Sequence, residues 1–180
     1  MAQMGFYINV AHCIGCKTCV VACKDTNNLE VGRNFRRVYE FCEGSFPNVS
    51  MAHVSISCNH CDEPACMKGC PTEALQKRKE DGVVFIDHDR CIGCRYCEWN
   101  CPYGAPQYSE ELGMMTKCDT CLSLREKGEE PHCVTSCPMR AIEFGEIEEL
   151  RAKYGTNADI KGIPSSSITK PNLVINLLGK

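Results

Sequence analysis

Apolar residues along this chain come in short, separated runs and not in long periodic ones. Phe6-Tyr7-Ile8-Asn9-Val10 and Val83-Val84-Phe85-Ile86-Asp87 each predict a short strand leading into a cysteine-rich loop. Val54-Ser55-Ile56-Ser57 alternates and predicts a third strand, and Ala141 to Phe144 a fourth. Short helices are expected after the last cysteine of the first and third cysteine groups, the latter limited by Pro102 and Pro106. Glu146 to Tyr154 is the strongest helical segment, stopped by Gly155. Residues 156–180, with Ser165-Ser166-Ser167 and prolines at 164 and 171, read as irregular: a free tail, or an arm lying on a partner. The longest apolar stretch, Asn172 to Leu178, is far too short to span a bilayer. Met1-Ala2-Gln3-Met4-Gly5-Phe6 shows no basic n-region, no apolar h-region and no cleavage site, so no secretory signal is expected.

Cysteine changes this picture of scattered short elements. Seventeen cysteines in 180 residues is a density at which they form the scaffold. Without them the apolar content is thin for the length, so metal–thiolate bonds are expected to help hold the fold. They fall into four groups of four. Group one is Cys13-x2-Cys16-x2-Cys19-x3-Cys23, and group two is Cys58-x2-Cys61-x4-Cys66-x3-Cys70-Pro71. Group three is Cys91-x2-Cys94-x2-Cys97-x3-Cys101-Pro102, and group four is Cys118-x2-Cys121-x11-Cys133-x3-Cys137-Pro138. Only Cys42 is left over, with no neighbour at ligand spacing, and it reads as a free thiol.

Groups one and three are copies offset by 78 residues: Ile8 answers Ile86, Asn9 answers Asp87, Lys17 answers Arg95, and Cys-Ile-Gly-Cys recurs. Groups two and four share Cys-Pro-x-x-Ala followed by an apolar residue, Leu75 or Ile142. The pattern is that of a duplicated two-cluster unit.

Three cysteines at x2, x2 spacing sit on one tight loop and offer three corners to an iron–sulfur cubane. In the bacterial ferredoxin run C-x2-C-x2-C-x3-C-P the fourth cysteine serves the neighbouring cluster. Group three matches that run in full, and group one has Lys24 in place of the proline. Gly15 and Gly93 suit a loop whose backbone must close around a cluster. A disulfide framework fits poorly, because the cysteine number is odd and the spacing is that of metal sites. A zinc-stabilised binding module is the competing reading, since paired C-x2-C is a zinc-ribbon spacing. A ribbon, however, needs two cysteines per knuckle, not three plus a displaced fourth.

The formal charge of −3 understates the negative charge if clusters bind, because each thiolate-ligated cubane adds about −2. Lys17, Lys24, Lys68, Arg95, Lys117 and Arg140 lie within three residues of a cysteine and as a set are placed to offset it, although any single one reads as a solvated charge. Histidines 12, 53, 60, 88 and 132 replace no cysteine and read as supporting or surface residues.

These motifs resemble the iron–sulfur subunit of the dimethyl sulfoxide reductase family. The resemblance rests on Cys-Ile-Gly-Cys-Lys-Thr-Cys at 13–19, Ser-Cys-Asn-His-Cys at 57–61, and Cys-Ile-Gly-Cys-Arg-Tyr-Cys with Cys-Pro-Tyr-Gly-Ala-Pro at 91–106. Met115-Thr116-Lys117-Cys118-Asp119, Cys137-Pro138-Met139-Arg140-Ala141 and Thr169-Lys170-Pro171-Asn172 extend it over nearly the whole chain. Two stretches are shorter than in that family, the link from Cys42 to Cys58 and the C-terminal tail.

The resemblance implies an α+β, duplicated ferredoxin-like fold of two two-cluster units related by a pseudo-twofold, in which residues 1–155 form one intertwined domain and 156–180 a partner-contacting tail. It implies four [4Fe–4S] clusters: cluster 1 on Cys13, Cys16, Cys19 and Cys137; cluster 2 on Cys58, Cys61, Cys66 and Cys101; cluster 3 on Cys91, Cys94, Cys97 and Cys70; cluster 4 on Cys118, Cys121, Cys133 and Cys23. Because Cys94 is kept where some relatives carry tryptophan, all four are expected to be cubanes. The implied partners are a large molybdopterin catalytic subunit and an integral membrane anchor that oxidises quinol, with no nucleic acid and no membrane span of the chain's own. The function implied is electron transfer between those two, with no catalytic residue in this chain. Formate dehydrogenase and hydrogenase complexes use subunits of the same plan and stay open. Membrane association through a partner and maturation in the cytoplasm follow, with the final side open.

Overall fold

The computed structural model describes residues 2–177. Met1 of the N-terminal reading, and the last three residues of the 156–180 segment, lie outside the described residues. The fold is mixed α+β, with short elements and small sheets. In chain order these are β1 (Met4–Asn9), α1 (Thr18–Thr26), β2 (Arg37–Ser45), β3 (Asn48–Ile56), α2 (Ala65–Lys68), β4 (Leu75–Lys77), β5 (Val84–Ile86) and α3 (Tyr96–Asn100). There follow β6 (Gln107–Ser109), β7 (Met114–Thr116), α4 (Leu122–Arg125), α5 (His132–Thr135), β8 (Ile142–Glu146), α6 (Ile147–Tyr154) and β9 (Leu173–Asn176).

The central strand is β1, paired antiparallel with β8 and parallel with β9. Its near-continuous apolar run suits a strand covered on both faces. Alternation sends Phe6 and Ile8 into a core shared with Cys19, Cys133 and Cys137. Tyr7 points the other way, packing with Val174 and with Ile147 and Leu150 of α6. Its ring stacks on Tyr154 at 3.7 Å between centroids. The sheet thus divides the helix α6 from the cysteine-bearing half of the molecule.

A second, smaller pairing repeats the first. Ile8 faces Ile142 across β1–β8, and Ile86 faces Leu75 across β4–β5. Asn9 donates its N–H to the Ala141 carbonyl at 2.8 Å, and Asp87 donates to the Ala74 carbonyl at 2.8 Å. Left-handed backbone recurs at matching places, Gly15 and Gly93, Lys17 and Arg95, His60 and Thr120, Glu73 and Arg140. For Gly15 a Cβ would also strike the His53 ring, and for Gly93 the Gly113 carbonyl, so both loops need glycine for space as well as for φ.

The four expected strands lie where the pattern puts them, within a residue or two except for β3, which is nine residues long. The helix expected over 146–154 is α6, with Glu146 as its flanking residue and Gly155 ending it. Two expectations need correction. The helices near groups one and three do not follow the fourth cysteine: α1 contains Cys19 and Cys23, and α3 ends just before Cys101. Residues 173–176, read as irregular, form a buried strand, because Leu173, Val174 and Ile175 complete both faces of the β1 sheet.

Candidate metal centres

In every group the x3 interval is one helical turn. Cys19 and Cys23 lie on α1, Cys66 on α2 with Cys70 just after it, Cys97 on α3 with Cys101 just after it, and Cys133 on α5 with Cys137 just after it. Residues four apart share a helix face but stand roughly 5–6 Å apart along the axis. Helix α1 packs on α5 and α2 on α3, so group one meets group four, and group two meets group three, through their helices.

The consequence is visible in the interior. One cavity is lined by Cys13, Cys16, Cys19 and Cys137. A second is lined by Cys58, Cys61, Cys66 and Cys101. Around Cys97 the neighbouring thiols are Cys70, Cys91 and Cys94. Around Cys23 they include Cys133 and Cys121, and Cys118 in turn has Cys23 and Cys133 beside it. The sixteen grouped cysteines thus gather in four quartets, while Cys42 is exposed on β2, opposite Met51.

The quartets also meet one another. Cys19 of the first lies near Cys133 of the fourth, and Cys118 of the fourth near Cys58 of the second. Cys66 of the second shares an apolar cluster with Cys97 of the third. Neighbouring quartets thus follow in the order 1, 4, 2, 3.

As thiols, several of these cysteines are strongly perturbed. Burial pushes Cys23 and Cys61 up to about 12, helped by Cys133 and Cys58 respectively. Burial, then Cys70, pushes Cys97 up to about 12. Cys118 is held well above the ordinary thiol range by burial and then Cys23. Cys16, by contrast, is exposed and drawn down by the Thr18 hydroxyl, which donates to its sulfur at 3.4 Å. Cys70 is also drawn down: burial raises it, but the N–H groups of Leu75 and Thr72 outweigh that.

Donor atoms left without partners test what these cages hold. Asn59 Nδ2 and His60 Nε2 are buried, unpartnered, and belong to residues lining the second cavity. Val84 N–H donates to His60 Nδ1 at 3.0 Å, which leaves the ring proton on Nε2. A group with acceptor atoms belongs beside them, and cluster sulfides are such acceptors. Among the described residues no three His, Cys, Asp or Glu side chains close on a single-ion site. The residues fit a larger cubane.

The 4Fe-4S dicluster domain family matches residues 49–147, over half of the chain. The chain is also 54% identical to the probable anaerobic dimethyl sulfoxide reductase chain YnfG of Escherichia coli K12, over 96% of its own length and 88% of that protein. It is 51% identical to the B subunit of the anaerobic dimethyl sulfoxide reductase of the same strain, over 96% and 88%. Identity to the Haemophilus influenzae counterpart of that subunit is 50%, over 97% and 89%. The chain belongs to the iron–sulfur subunit family of the anaerobic dimethyl sulfoxide reductases. As a member of that family it is an electron-transfer subunit and not the catalytic one. Its sixteen grouped cysteines fit a load of four [4Fe–4S] clusters.

Of the six basic residues singled out from sequence in this iron–sulfur subunit, only Lys117 is buried, donating to the Val84 and Cys118 carbonyls. Lys24 is half-buried and holds the Glu30 and Arg33 carbonyls, while Lys17, Lys68, Arg95 and Arg140 are exposed. The cation that sequence reasoning missed is Arg36, wholly buried between the first and fourth quartets. Its place in the double Arg36-Arg37 carries no sequence signal for that, because burial of a charge depends on what folds around it.

Proposed function

We propose that cluster 1 is held by Cys13, Cys16, Cys19 and Cys137, cluster 2 by Cys58, Cys61, Cys66 and Cys101, cluster 3 by Cys91, Cys94, Cys97 and Cys70, and cluster 4 by Cys118, Cys121, Cys133 and Cys23. The observation that carries this is the pair of cavities, each lined by three cysteines of one group and the last cysteine of another. A bound [4Fe–4S] cluster supplies one-electron redox chemistry. The chain's own residues fix where the sites stand, keep water from the inner ones and supply hydrogen bonds. His60 and Asn59 offer their free N–H groups to cluster 2, and Thr18 its hydroxyl to Cys16.

The same reading makes the fold a duplication. Matching strand registers, the two 2.8 Å bonds to Ala74 and Ala141, and repeated left-handed positions support two ferredoxin-like units related by a pseudo-twofold. Residues 1–155 carry all the ligands and form the intertwined domain. Of the partner-contacting segment 156–180, β9 completes the sheet and Thr169 and Asn172 are buried, which leaves the loop 156–168 as the part turned to a partner.

Clusters 1 and 3 end the row, and exposed apolar side chains surround both. Ile14, Val21 and Met139 stand beside cluster 1; Ile92, Tyr96 and Trp99 stand beside cluster 3. Such patches rimmed by charge suit protein partners. The partners are a molybdopterin catalytic subunit at one end and a quinol-oxidising membrane anchor at the other. No helix among the described residues is long and apolar enough to cross a membrane, so association with one runs through the anchor. The test is gentle anaerobic purification of the native complex, followed by reduction with a quinol analogue and addition of dimethyl sulfoxide. The reading requires co-purifying molybdenum, with clusters bleached by the quinol and recoloured by the sulfoxide. Iron with nickel, or formate as the only effective reductant, would move the chain to a hydrogenase or formate dehydrogenase complex.

A further inference from the structure

Arg36 is the largest fully buried side chain among the described residues, at 1% exposure. Its Nη1 donates to the Ser55 carbonyl at 3.2 Å and to Ser55 Oγ at 3.1 Å, and its Nη2 donates to Ser57 Oγ at 3.0 Å. The guanidinium lies 4.7 Å from the centre of the Phe6 ring. Nε has no partner, and no carboxylate pairs with this residue among the described residues.

A guanidinium keeps its charge in any protein setting, and a buried charge without a counter-ion is costly. The counter-ion is therefore to be sought among its neighbours. Those are Cys133, Cys19, Cys118 and Cys23, one from quartet 1 and three from quartet 4. One link runs through a single side chain: Ser55 Oγ, which accepts from Arg36, stands 3.3 Å from Cys19 Sγ. With its acceptor role taken by the guanidinium, that hydroxyl is free to donate to the sulfur. Neutral thiols would not compensate the charge. Cubanes ligated by four thiolates would, each carrying about −2 when oxidised.

We propose that Arg36 is a positioning cation shared by clusters 1 and 4, which stabilises their reduced forms together and keeps electron transfer between them level. Ser55 relays part of that charge to cluster 1 through Cys19. An added electron makes a cluster more negative, so a fixed positive charge beside it raises its potential. A cation between two neighbours raises both and offsets their mutual repulsion when one is reduced. The proposal rests on the cluster assignment above.

The test is an anaerobic redox titration of the assembled complex, followed by electron paramagnetic resonance. Each signal is assigned through a serine variant of one ligand per cluster. Arg36→Met is expected to move clusters 1 and 4 to lower potential while clusters 2 and 3 stay in place. Arg36→Lys, which keeps the charge, is expected to restore most of that shift. Ser55→Ala is expected to lower cluster 1 and leave cluster 4 unmoved. Four loaded clusters with unchanged midpoints in Arg36→Met would overturn the proposal, as would a lysine variant shifted as far as the methionine one. Should Arg36→Met not load its clusters, Ser55→Ala decides, and an unmoved cluster 1 then overturns the relay. Wild-type complex without four cubane signals would instead defeat the cluster assignment itself.

Discussion

At the ends of the row Cys16 is exposed and Cys94 half-buried, whereas every cysteine of quartet 4 is buried and only Cys101 of quartet 2 is not. The same spacing logic has produced two environments. The outer quartets take their three loop cysteines from groups one and three, whose Cys-Ile-Gly-Cys turns present isoleucine to solvent, with Ile14 58% and Ile92 67% exposed. The inner ones take theirs from groups two and four, whose loops run into the interior beside His60, Thr120 and Lys117. An electron must enter and leave where a cluster approaches the surface, and must be shielded from water and oxidants between. On the cluster assignment proposed above, the end sites suit exchange and the inner sites passage.

Breaking an inner site should therefore cost most. Cys118→Ser is expected to remove about four irons per chain and to destabilise the fold by more than about 4 kcal/mol, because it strips the metal from a buried cage. Iron analysis and thermal melting check this. Cys94→Ala at the outer end is expected to lose about one iron of the four in cluster 3 and to cost about 1 kcal/mol, roughly 2–4 °C in Tm. An equal loss in both variants would erase the distinction between inner and outer sites.

Alkali sharpens the same contrast in cluster-free protein. The folded values of Cys23 and Cys61 are raised to about 12, above the ordinary thiol value near 9. Their stabilising contribution is then fully present below about pH 9 and is lost as pH climbs towards 12. The exposed Cys16 contributes in the opposite sense, since its value is lowered. Stability of the apo-chain, followed by far-ultraviolet circular dichroism, should be steady up to about pH 9 and fall above it. Loading clusters should remove that fall, since the thiols are then already deprotonated. The smallest effect belongs to the surface: Trp99→Ala, at a side chain 73% exposed, should change stability by less than about 0.5 kcal/mol yet weaken binding to the partner at that end. Calorimetry and pull-down with the partner subunit separate the two.

The four cysteine groups stand out in the sequence because metal chemistry demands residue type and spacing together, and neither needs the fold. The strand starting at Phe6 and its echo before group three were legible from apolar runs. The pairing of Ile8 with Ile142, and of Ile86 with Leu75, follows the repeat that links those residues. The helices were misplaced by a few residues, since α1 and α3 start at the left-handed Lys17 and Arg95, inside the cysteine runs. Propensity gives no hint of that, because the loop geometry imposes it. The β2–β3 hairpin was seen only in its buried half, where Val54 and Ile56 alternate with Ser55; its outer half, at Phe46 and Val49, is exposed and bears no core pattern. Strand β9 was hidden because its partner β1 lies over 160 residues away in sequence, and a three-residue apolar run shortly after Pro171 carries no local signal. Arg36 was invisible for the same reason.

Quantification of iron and acid-labile sulfide in the anaerobically purified chain, referred to protein by amino-acid analysis, tests the four-site row most directly. About sixteen irons and about sixteen sulfides per chain are expected, with no stoichiometric zinc. About eight irons, or zinc in place of iron and sulfide, would contradict it.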